Sequence, residues 1–245
     1  MHRMIIALMV PILAIILVAV TLAQPVEPLP ALFKPEQCQR MDLVDLRLRP
    51  VEGIEDIVVL QDGRIFFSAH NRRYAEIPVR GIYVSTLQDL DIALQEGRNL
   101  SGLPIGGAQR VVQSFFPHGI AADRSGQRFA FVNRPTKGEG EVLWGRLDGN
   151  NQFRLQGRWS APEACRANDL EWRGAELLAT RDRQSCGSSL TDLMPGADTG
   201  TLISVRPDRF VELESGLSFA NGVVLSGGRV IVAETRADQM RILGT

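Results

Sequence analysis

The chain has 245 residues, 44% of them hydrophobic, and carries 27 lysines and arginines against 28 aspartates and glutamates. This length suits one sizeable domain and is short for two. The balanced charge excludes the basic surface that nucleic-acid binding requires, so we expect no nucleic-acid partner.

An uncharged apolar segment opens the chain and runs from Met4 to Ala23. A segment of this length can span a bilayer core, and Arg3 before it suits either a signal peptide or a membrane anchor. We favour the anchor, because residues 1–23 end in a poor cleavage site; a buried core helix is the alternative. A Pro-rich linker and first strand region over 24–50, and a main domain over 51–245, would then lie in an exported compartment.

Four similar units follow, each with an apolar strand, a turn containing Gly and a second apolar strand. Their sequences are VVLQDGRIFFSA from Val58, IAADRSGQRFAFVN from Ile120, LEWRGAELLATRD from Leu170 and VVLSGGRVIVAET from Val223. Equivalent positions lie about 64, 48 and 53 residues apart, near the ~40–50 residues of propeller blades. Third strands are predicted over 81–86, 142–147 and 201–205. The segment LQDLDIALQEG, from Leu87, is predicted to be a short helix or a loop.

These short strands, rich in Val, Ile and Phe, predict an all-β fold of small antiparallel sheets arranged around an axis. One such sheet cannot bury both of its faces without neighbours. A β-sandwich is the alternative, and the long repeat disfavours it. The chain has three cysteines, Cys38, Cys165 and Cys186. In an oxidising compartment Cys165 could pair with Cys186; the alternative is that all three are buried free thiols.

Polar residues accompany the start of every unit. They are Glu55 and Asp56, then His118, then Asn168 and Asp169, and finally Asn221. Each could be a turn or capping residue on its own. Their recurrence in successive units favours a shared central site instead, and acids with amides suit Ca²⁺, which takes six to eight oxygen ligands. His70 lies in a polar sequence and is interpreted as a surface residue.

The segments GIEDIVVLQDGRIFFSA, FFPHGIAAD, EVLWGRLD, RANDLEW and FANGVVLSGGRVIVAET together resemble the paraoxonase/arylesterase family of six-bladed calcium propellers, and more loosely the gluconolactonase-like propellers. The resemblance runs from about Cys38 to the end of the chain. It implies a calcium-dependent hydrolase of lactones or aryl esters.

The resemblance also implies roles for individual residues. A catalytic calcium would take Glu55, Asn168 and Asn221. A structural calcium would take Asp56, Asp169 and the main-chain carbonyl of Ile120. His118 matches the family's active-site histidine, a general base on water. This agrees with the chemistry, because a calcium ion can stabilise an oxyanion and an imidazole can accept a proton near neutral pH.

Two departures from the family pattern bear on activity. Arg134 stands where the family carries a second histidine, and a guanidinium cannot accept a proton. The chain ends at MRILGT after about four blades, whereas a family member continues for about two more, which bring an Asp-Asn pair to the catalytic calcium. The resemblance therefore implies an incomplete catalytic calcium site and an incomplete ring with uncovered sheet faces. The alternative function is a non-catalytic propeller that binds a ligand or a protein.

Overall fold

The computed structural model describes residues 38–70, 80–107, 116–135, 139–183, 186 and 197–244. Two compact units divide the chain, Met1–Arg40 and Met41–Thr245. The predicted signal or anchor and the Pro-rich segment up to residue 37 lie outside the described residues. Within the described part, no helix has both the length and the apolar character needed to cross a membrane.

The described residues of the second unit form four sheets that follow one another along the chain, as the blades of a propeller do. Blade I contains β2 (Ile54–Val59), β3 (Arg64–Ala69), β4 (Gly81–Thr86) and β5 (Leu100–Pro104), with β1 (Leu43–Asp45) parallel to β5. Blade II contains β6 (Pro117–Ala122), β7 (Arg128–Asn133), β8 (Glu141–Leu147) and β9 (Phe153–Ser160). Blade III contains β10 (Ala167–Arg173), β11 (Glu176–Arg181), β12 (Gly200–Val205) and β13 (Phe210–Leu217). Blade IV contains β14 (Ala220–Ser226), β15 (Arg229–Glu234) and β16 (Gln239–Leu243).

Consecutive strands pair antiparallel within each blade, and the first strands of successive blades contact one another in the order β2, β6, β10, β14. This confirms the all-β, propeller-type prediction with four blades, and it excludes the β-sandwich. The three predicted third strands are β4, β8 and β12. We call β2, β6, β10 and β14 the inner strands.

The hydrophobic core has one cluster within blade I and others that join neighbouring blades. Phe66 of blade I packs against Phe129 of blade II with ring centroids 5.2 Å apart, and within blade II Phe131 packs against Phe153 at the same separation. Further apolar clusters join blade II to blade III and blade III to blade IV. Because each blade depends on its neighbours for burial, packing on both sides fixes the positions of the inner strands of blades II and III.

One helix, α1 (Leu87–Glu96), interrupts blade I between β4 and β5. The Thr86 side chain accepts a hydrogen bond from the Asp89 amide at its start, and Gly97 ends it in the left-handed conformation at φ 62°. This is the usual N-cap and C-cap chemistry. The segment from Leu87 is therefore a helix and not a loop, and it contributes to the long first repeat.

A disulfide joins Cys165 to Cys186 with a Cα separation of 5.8 Å, which confirms the predicted pairing. It connects the 3-10 helix Pro162–Arg166, just before β10, with the segment that follows β11. Disulfides are typical of oxidising compartments. Cys38 is exposed, so the alternative of three buried thiols is wrong.

Candidate active site

All four inner strands carry a β-bulge near their first residue. Their pairing with the second strand of the blade shifts between Ile54 and Asp56, between Pro117 and Ile120, between Ala167 and Leu170, and between Ala220 and Val223. A bulge leaves residues unpaired and redirects their side chains. The polar residues predicted from the sequence sit at these bulges, inside the strands rather than before them.

Within each blade, the residue after the second strand donates its amide to a carbonyl just before the inner strand. The four hydrogen bonds run from the amide of His70 to the carbonyl of Gly53 at 2.8 Å, from Arg134 to Phe116 at 2.8 Å, from Asp182 to Arg166 at 3.1 Å and from Thr235 to Phe219 at 3.2 Å. The four bulges are thus structurally equivalent, and two rings of side chains follow from them. Glu55, His118, Asn168 and Asn221 form the outer ring. Asp56, Gly119, Asp169 and Gly222 form the inner ring.

The inner ring repeats every two blades. Asp56 accepts the amides of Ile57 and, from the next blade, Ile120, both at 2.8 Å. Asp169 accepts the amides of Leu170 and, from the next blade, Val223, also both at 2.8 Å. Each aspartate therefore bonds the amide that follows the glycine of the neighbouring blade.

Hydroxyl groups follow the same two-blade period. Ser68 of β3 donates to the His118 carbonyl, and Thr180 of β11 donates to the Asn221 carbonyl. These residues occupy equivalent places, each directly before the last residue of its strand. Through them, the backbone of each outer-ring residue in blades II and IV is held by the preceding blade.

Gly119 occupies the tightest point between the inner strands. A Cβ on this residue would lie 2.4 Å from the Asn168 carbonyl oxygen and 2.5 Å from the Asp169 Cα. Only glycine allows this approach, and it brings His118 beside the bulge of blade III.

The bulges open onto one cavity of about 510 Å³. The structure brings together here six of the seven predicted site residues: Glu55, Asp56, His118, Asn168, Asp169 and Asn221. Ile120 does not line the cavity; it is buried behind it, and its amide bonds Asp56. His70 is also buried, at 5% exposure, so its interpretation as a surface residue is wrong.

His118 and Glu55 are neighbours in the outer ring. The His118 Nδ1 atom lies 3.3 Å from the Glu55 Oε2 atom, and the imidazole is largely buried. A carboxylate beside Nδ1 favours a proton on that nitrogen and orients the ring, which leaves Nε2 as the proton acceptor. On blade IV, the Asn221 amide nitrogen donates to the Thr235 hydroxyl at 3.0 Å, which fixes that side chain.

The carboxyl groups of the two inner-ring aspartates lie close enough to influence each other's ionisation. Burial, and then the Asp56 carboxylate, raise the pKa of Asp169 well above its usual value. Burial also raises the pKa of Asp56, although the Ile120 and Ile57 amides act in the opposite direction. Two carboxyl groups this close and this buried cannot both ionise without a positive charge nearby.

A hard divalent cation would supply that positive charge and allow both carboxyl groups to ionise. Among the described residues, no group of three or more His, Cys, Asp or Glu side chains is placed to hold a metal ion. A metal here would need carboxylate, amide and carbonyl oxygens together, which is the mixture that calcium accepts. The donor set of the two rings fits such an ion.

Arg134 does not face an imidazole partner but an acid. Its Nη2 atom donates to Asp182 Oδ2 at 2.6 Å, and Asp182 is almost fully buried. Arg134 and Asp182 occupy equivalent positions in blades II and III, directly after the second strand. This ion pair replaces the second histidine that the resemblance would place at Arg134.

Sequence reasoning missed four residues that line the cavity. They are Arg166, Asp182, Arg183 and Phe219. Alignment of the four units at the residue after each second strand would have placed Asp182 beside Arg134. The carbonyl groups of Arg166 and Phe219 accept hydrogen bonds from the Asp182 and Thr235 amides. The same alignment, applied to the residue before each inner strand, would have placed Arg166 and Phe219 at the cavity.

No protein-family model matches the chain, and no curated protein matches it. Similar solved structures include a gluconolactonase from Xanthomonas campestris, 14% identical, with a TM-score of 0.43 over 74% of this chain and 54% of that one. The β-propeller domain of the Trilobed protease from Pyrococcus furiosus is 13% identical, with a TM-score of 0.45 over 80% and 56%. An α-L-arabinofuranosidase from Clostridium thermocellum is 15% identical, with a TM-score of 0.42 over 78% and 62%. This chain therefore spans less than two thirds of each of these structures, and the paraoxonase/arylesterase resemblance stays a prediction.

Proposed function

We propose that this chain is a calcium-dependent hydrolase of lactones or aryl esters. The observation that carries the proposal is the outer ring, in which Glu55, His118, Asn168 and Asn221 meet at equivalent bulges of four successive blades. Unrelated turns would have no reason to direct a base, an acid and two amides into one cavity. A cavity of about 510 Å³ also suits a small-molecule substrate.

The residues divide the work as follows. His118, oriented by Glu55, accepts the proton of the attacking water. Glu55, Asn168 and Asn221 would hold the catalytic calcium, and Asp56, Asp169 and the Ile120 carbonyl the structural one. A bound calcium ion supplies a Lewis acid for the carbonyl oxygen. Neutral asparagine ligands would leave that ion more of its charge than carboxylates would.

The experiment measures hydrolysis of phenyl acetate and of a simple lactone by the full-length chain, with calcium and with a chelator. We expect activity with calcium, its loss on chelation, and a loss of about 10²–10⁴-fold for His118→Gln, because a general base contributes about this much. His70→Gln is the matched control, since His70 is buried outside the cavity. Turnover that ignores both the chelator and His118→Gln would contradict the mechanism.

A second candidate is a non-catalytic propeller that binds a ligand or a protein. The Arg134–Asp182 ion pair favours it, because no second histidine supports His118. Calcium-dependent stabilisation without turnover of any lactone or ester would select this function.

The wider setting is part of the proposal. We propose that the four blades belong to a six-bladed arrangement, supported by apolar side chains left exposed on β2, where Ile57 is 53% and Val59 55% accessible. The Cys165–Cys186 disulfide supports an exported location, either secreted, periplasmic or anchored to a membrane by residues 1–23.

A further inference from the structure

Three arginines line the same cavity as the outer ring. Arg134 follows β7, Arg166 precedes β10 and Arg183 follows β11. None of them belongs to the predicted catalytic or calcium-binding set. The cavity of the proposed active site is thus also lined by a group of positively charged side chains.

Asp182 forms ion pairs with Arg134 and Arg183, and Arg166 donates a hydrogen bond to the Cys186 carbonyl at 2.9 Å. Among the described residues, Asp182 accepts a hydrogen bond from Arg134 and not from Arg183. Its Oδ2 atom takes the hydrogen bond from Arg134, while its Oδ1 atom lies 4.0 Å from Arg183 Nε, beyond hydrogen-bond distance. Both Asp182 Oδ1 and Arg183 Nε are buried and make no hydrogen bond in the described part of the chain. A buried donor on a charged group is costly to leave unsatisfied, so Arg183 is prepared for a further acceptor.

An aromatic ring stands next to this donor. The Arg183 guanidinium lies 5.7 Å from the centre of the Phe219 ring, and Phe219 also lines the cavity. Stacking on the ring holds the planar guanidinium in place without using its N–H groups. The side chain is only 19% exposed, so its charge acts at short range and with little screening by salt.

We propose that the substrate carries an anionic group, a carboxylate or a phosphate, that Arg183 and Arg166 bind while His118 faces the ester or lactone carbonyl. This rests on the proposed function and names its substrate class. Guanidinium groups bind both kinds of anion through paired N–H donors. Phe219 would contact the apolar part of the substrate between the two ends.

Binding can be tested without turnover by using amides in place of esters. We would titrate the full-length chain calorimetrically with 4-acetamidobenzoate, with its neutral methyl ester, and with 4-acetamidophenyl phosphate. We expect the carboxylate to bind about 10- to 100-fold more tightly than its methyl ester, the range of one or two charge-assisted hydrogen bonds. The tighter of the two anions identifies the source of the charge.

Variants then assign the preference to residues. Arg183→Gln and, as a second variant, Arg166→Gln should bring the carboxylate-to-ester affinity ratio close to one, while Arg183→Lys should keep part of it. The ratio within each variant cancels a general loss of folded protein. Arg154→Gln is the control, because it removes the same charge from a side chain that is 73% exposed and remote from the cavity lining.

The outcomes separate this inference from the proposed hydrolase. The inference is overturned if neither the carboxylate nor the phosphate binds more tightly than the neutral methyl ester, or if the preference for the anion survives both Gln variants. Hydrolysis of 4-acetoxybenzoate and its methyl ester is then compared. If both esters are hydrolysed equally and binding shows no preference for the anion, the proposed hydrolase is supported and the anion site is wrong. If the anion binds more tightly but neither ester is hydrolysed, the anion site is supported and the proposed hydrolase is wrong.

Discussion

At the scale of single residues, the site is built by alternation around the inner ring. Asp56 and Asp169 reach across to the next blade and accept the amides that follow Gly119 and Gly222. A Cβ at Gly119 would meet the backbone of blade III, whereas Gly222 has room for one. The alternation therefore gives a narrow polar centre in which the aspartates contact backbone amides directly.

The two glycines of the inner ring differ in the space around them, and this gives a matched pair of variants. At Gly119 an added Cβ would lie 2.4 Å from the Asn168 carbonyl oxygen, whereas at Gly222 its nearest neighbours lie 3.7 Å away. We predict that Gly119→Ala destabilises the chain by roughly 1–3 kcal/mol, the usual range for overpacking. Gly222→Ala should change stability by much less.

The measurement is urea unfolding of the full-length variants. Because both substitutions add one methyl group at equivalent bulges, their difference reports the local contact rather than helix or strand propensity. Equal losses in stability at the two positions would show that the close approach of blades II and III is not as the structure describes it.

At the scale of elements, blade IV depends on one buried acid. Glu234, at the end of β15, has no exposed surface and accepts hydrogen bonds from the Ser218 amide at 2.7 Å, from Gln239 at 2.7 Å and from Arg241 at 3.0 Å. It thereby ties the entry to β14 to the edge strand β16. Burial alone would raise the pKa of Glu234, but these hydrogen bonds outweigh it and hold the pKa below its usual value.

We predict that Glu234→Gln destabilises the chain by about 1.5–3 kcal/mol at neutral pH, the range for hydrogen bonds to a charged group. Since the folded-state pKa is lowered, this contribution is present above the usual glutamate pKa and is lost as the pH falls through the folded-state value. Wild type and variant should therefore converge in acid. Hydrogen exchange of the β16 amides should also accelerate in the variant.

Glu214→Gln is the control for this prediction. Glu214 lies 3.8 Å from the same Arg241 side chain but is 40% exposed. An exposed pair of this kind contributes at most about 1 kcal/mol. Faster exchange in β16 for Glu214→Gln, with none for Glu234→Gln, would contradict the assigned role of Glu234.

The elements also show what the sequence could and could not predict. The first two strands of every blade, and the third strands of blades I to III, were predictable because turns with Gly separate apolar runs. The fourth strands were not: β9 alternates in exposure, β13 is mostly exposed, and β5 contains Gly102 and Pro104. The third strand of blade IV, β16, was also not predicted. The short β1 was indicated only as a first strand region, because its parallel partner, β5, lies far away in the sequence.

For the site, the repeat indicated which residues would share one location, while their roles stay predictions. Glu55, His118, Asn168 and Asn221 occupy equivalent places in four aligned units, so their convergence followed from the repeat alone. The arginines did not follow, because Arg166 and Arg183 have no counterparts of the same charge in blade I. Their position in the cavity depends on how the chain turns between strands, which the sequence pattern does not specify.

At the scale of the whole second unit, the inner-ring aspartates connect all four blades. Asp56 joins blade I to blade II and Asp169 joins blade III to blade IV, and the two carboxyl groups lie close enough to influence each other's charge. A cation bound between them would strengthen every one of these connections at once. The proposed structural calcium should therefore change the stability of the blades together and not that of a single sheet.

We predict that calcium raises the unfolding temperature of the full-length chain. The added stability is about 2.7 kcal/mol when free calcium reaches a hundred times its dissociation constant.

The calcium effect should depend on pH. Without calcium, the pKa of each aspartate is raised in the folded state, so stability falls as the pH rises from the usual aspartate pKa through the folded-state values. Calcium favours the ionised carboxylates, and its stabilising effect should grow over the same range. Asp169→Asn should reduce both the calcium effect and the pH dependence in chelator, whereas Asp62→Asn, at an exposed turn of blade I, should do neither. Thermal unfolding in calcium and in chelator at mildly acidic and at alkaline pH provides the measurement, and an unfolding temperature that calcium leaves unchanged at both would rule out an ion between the two aspartates.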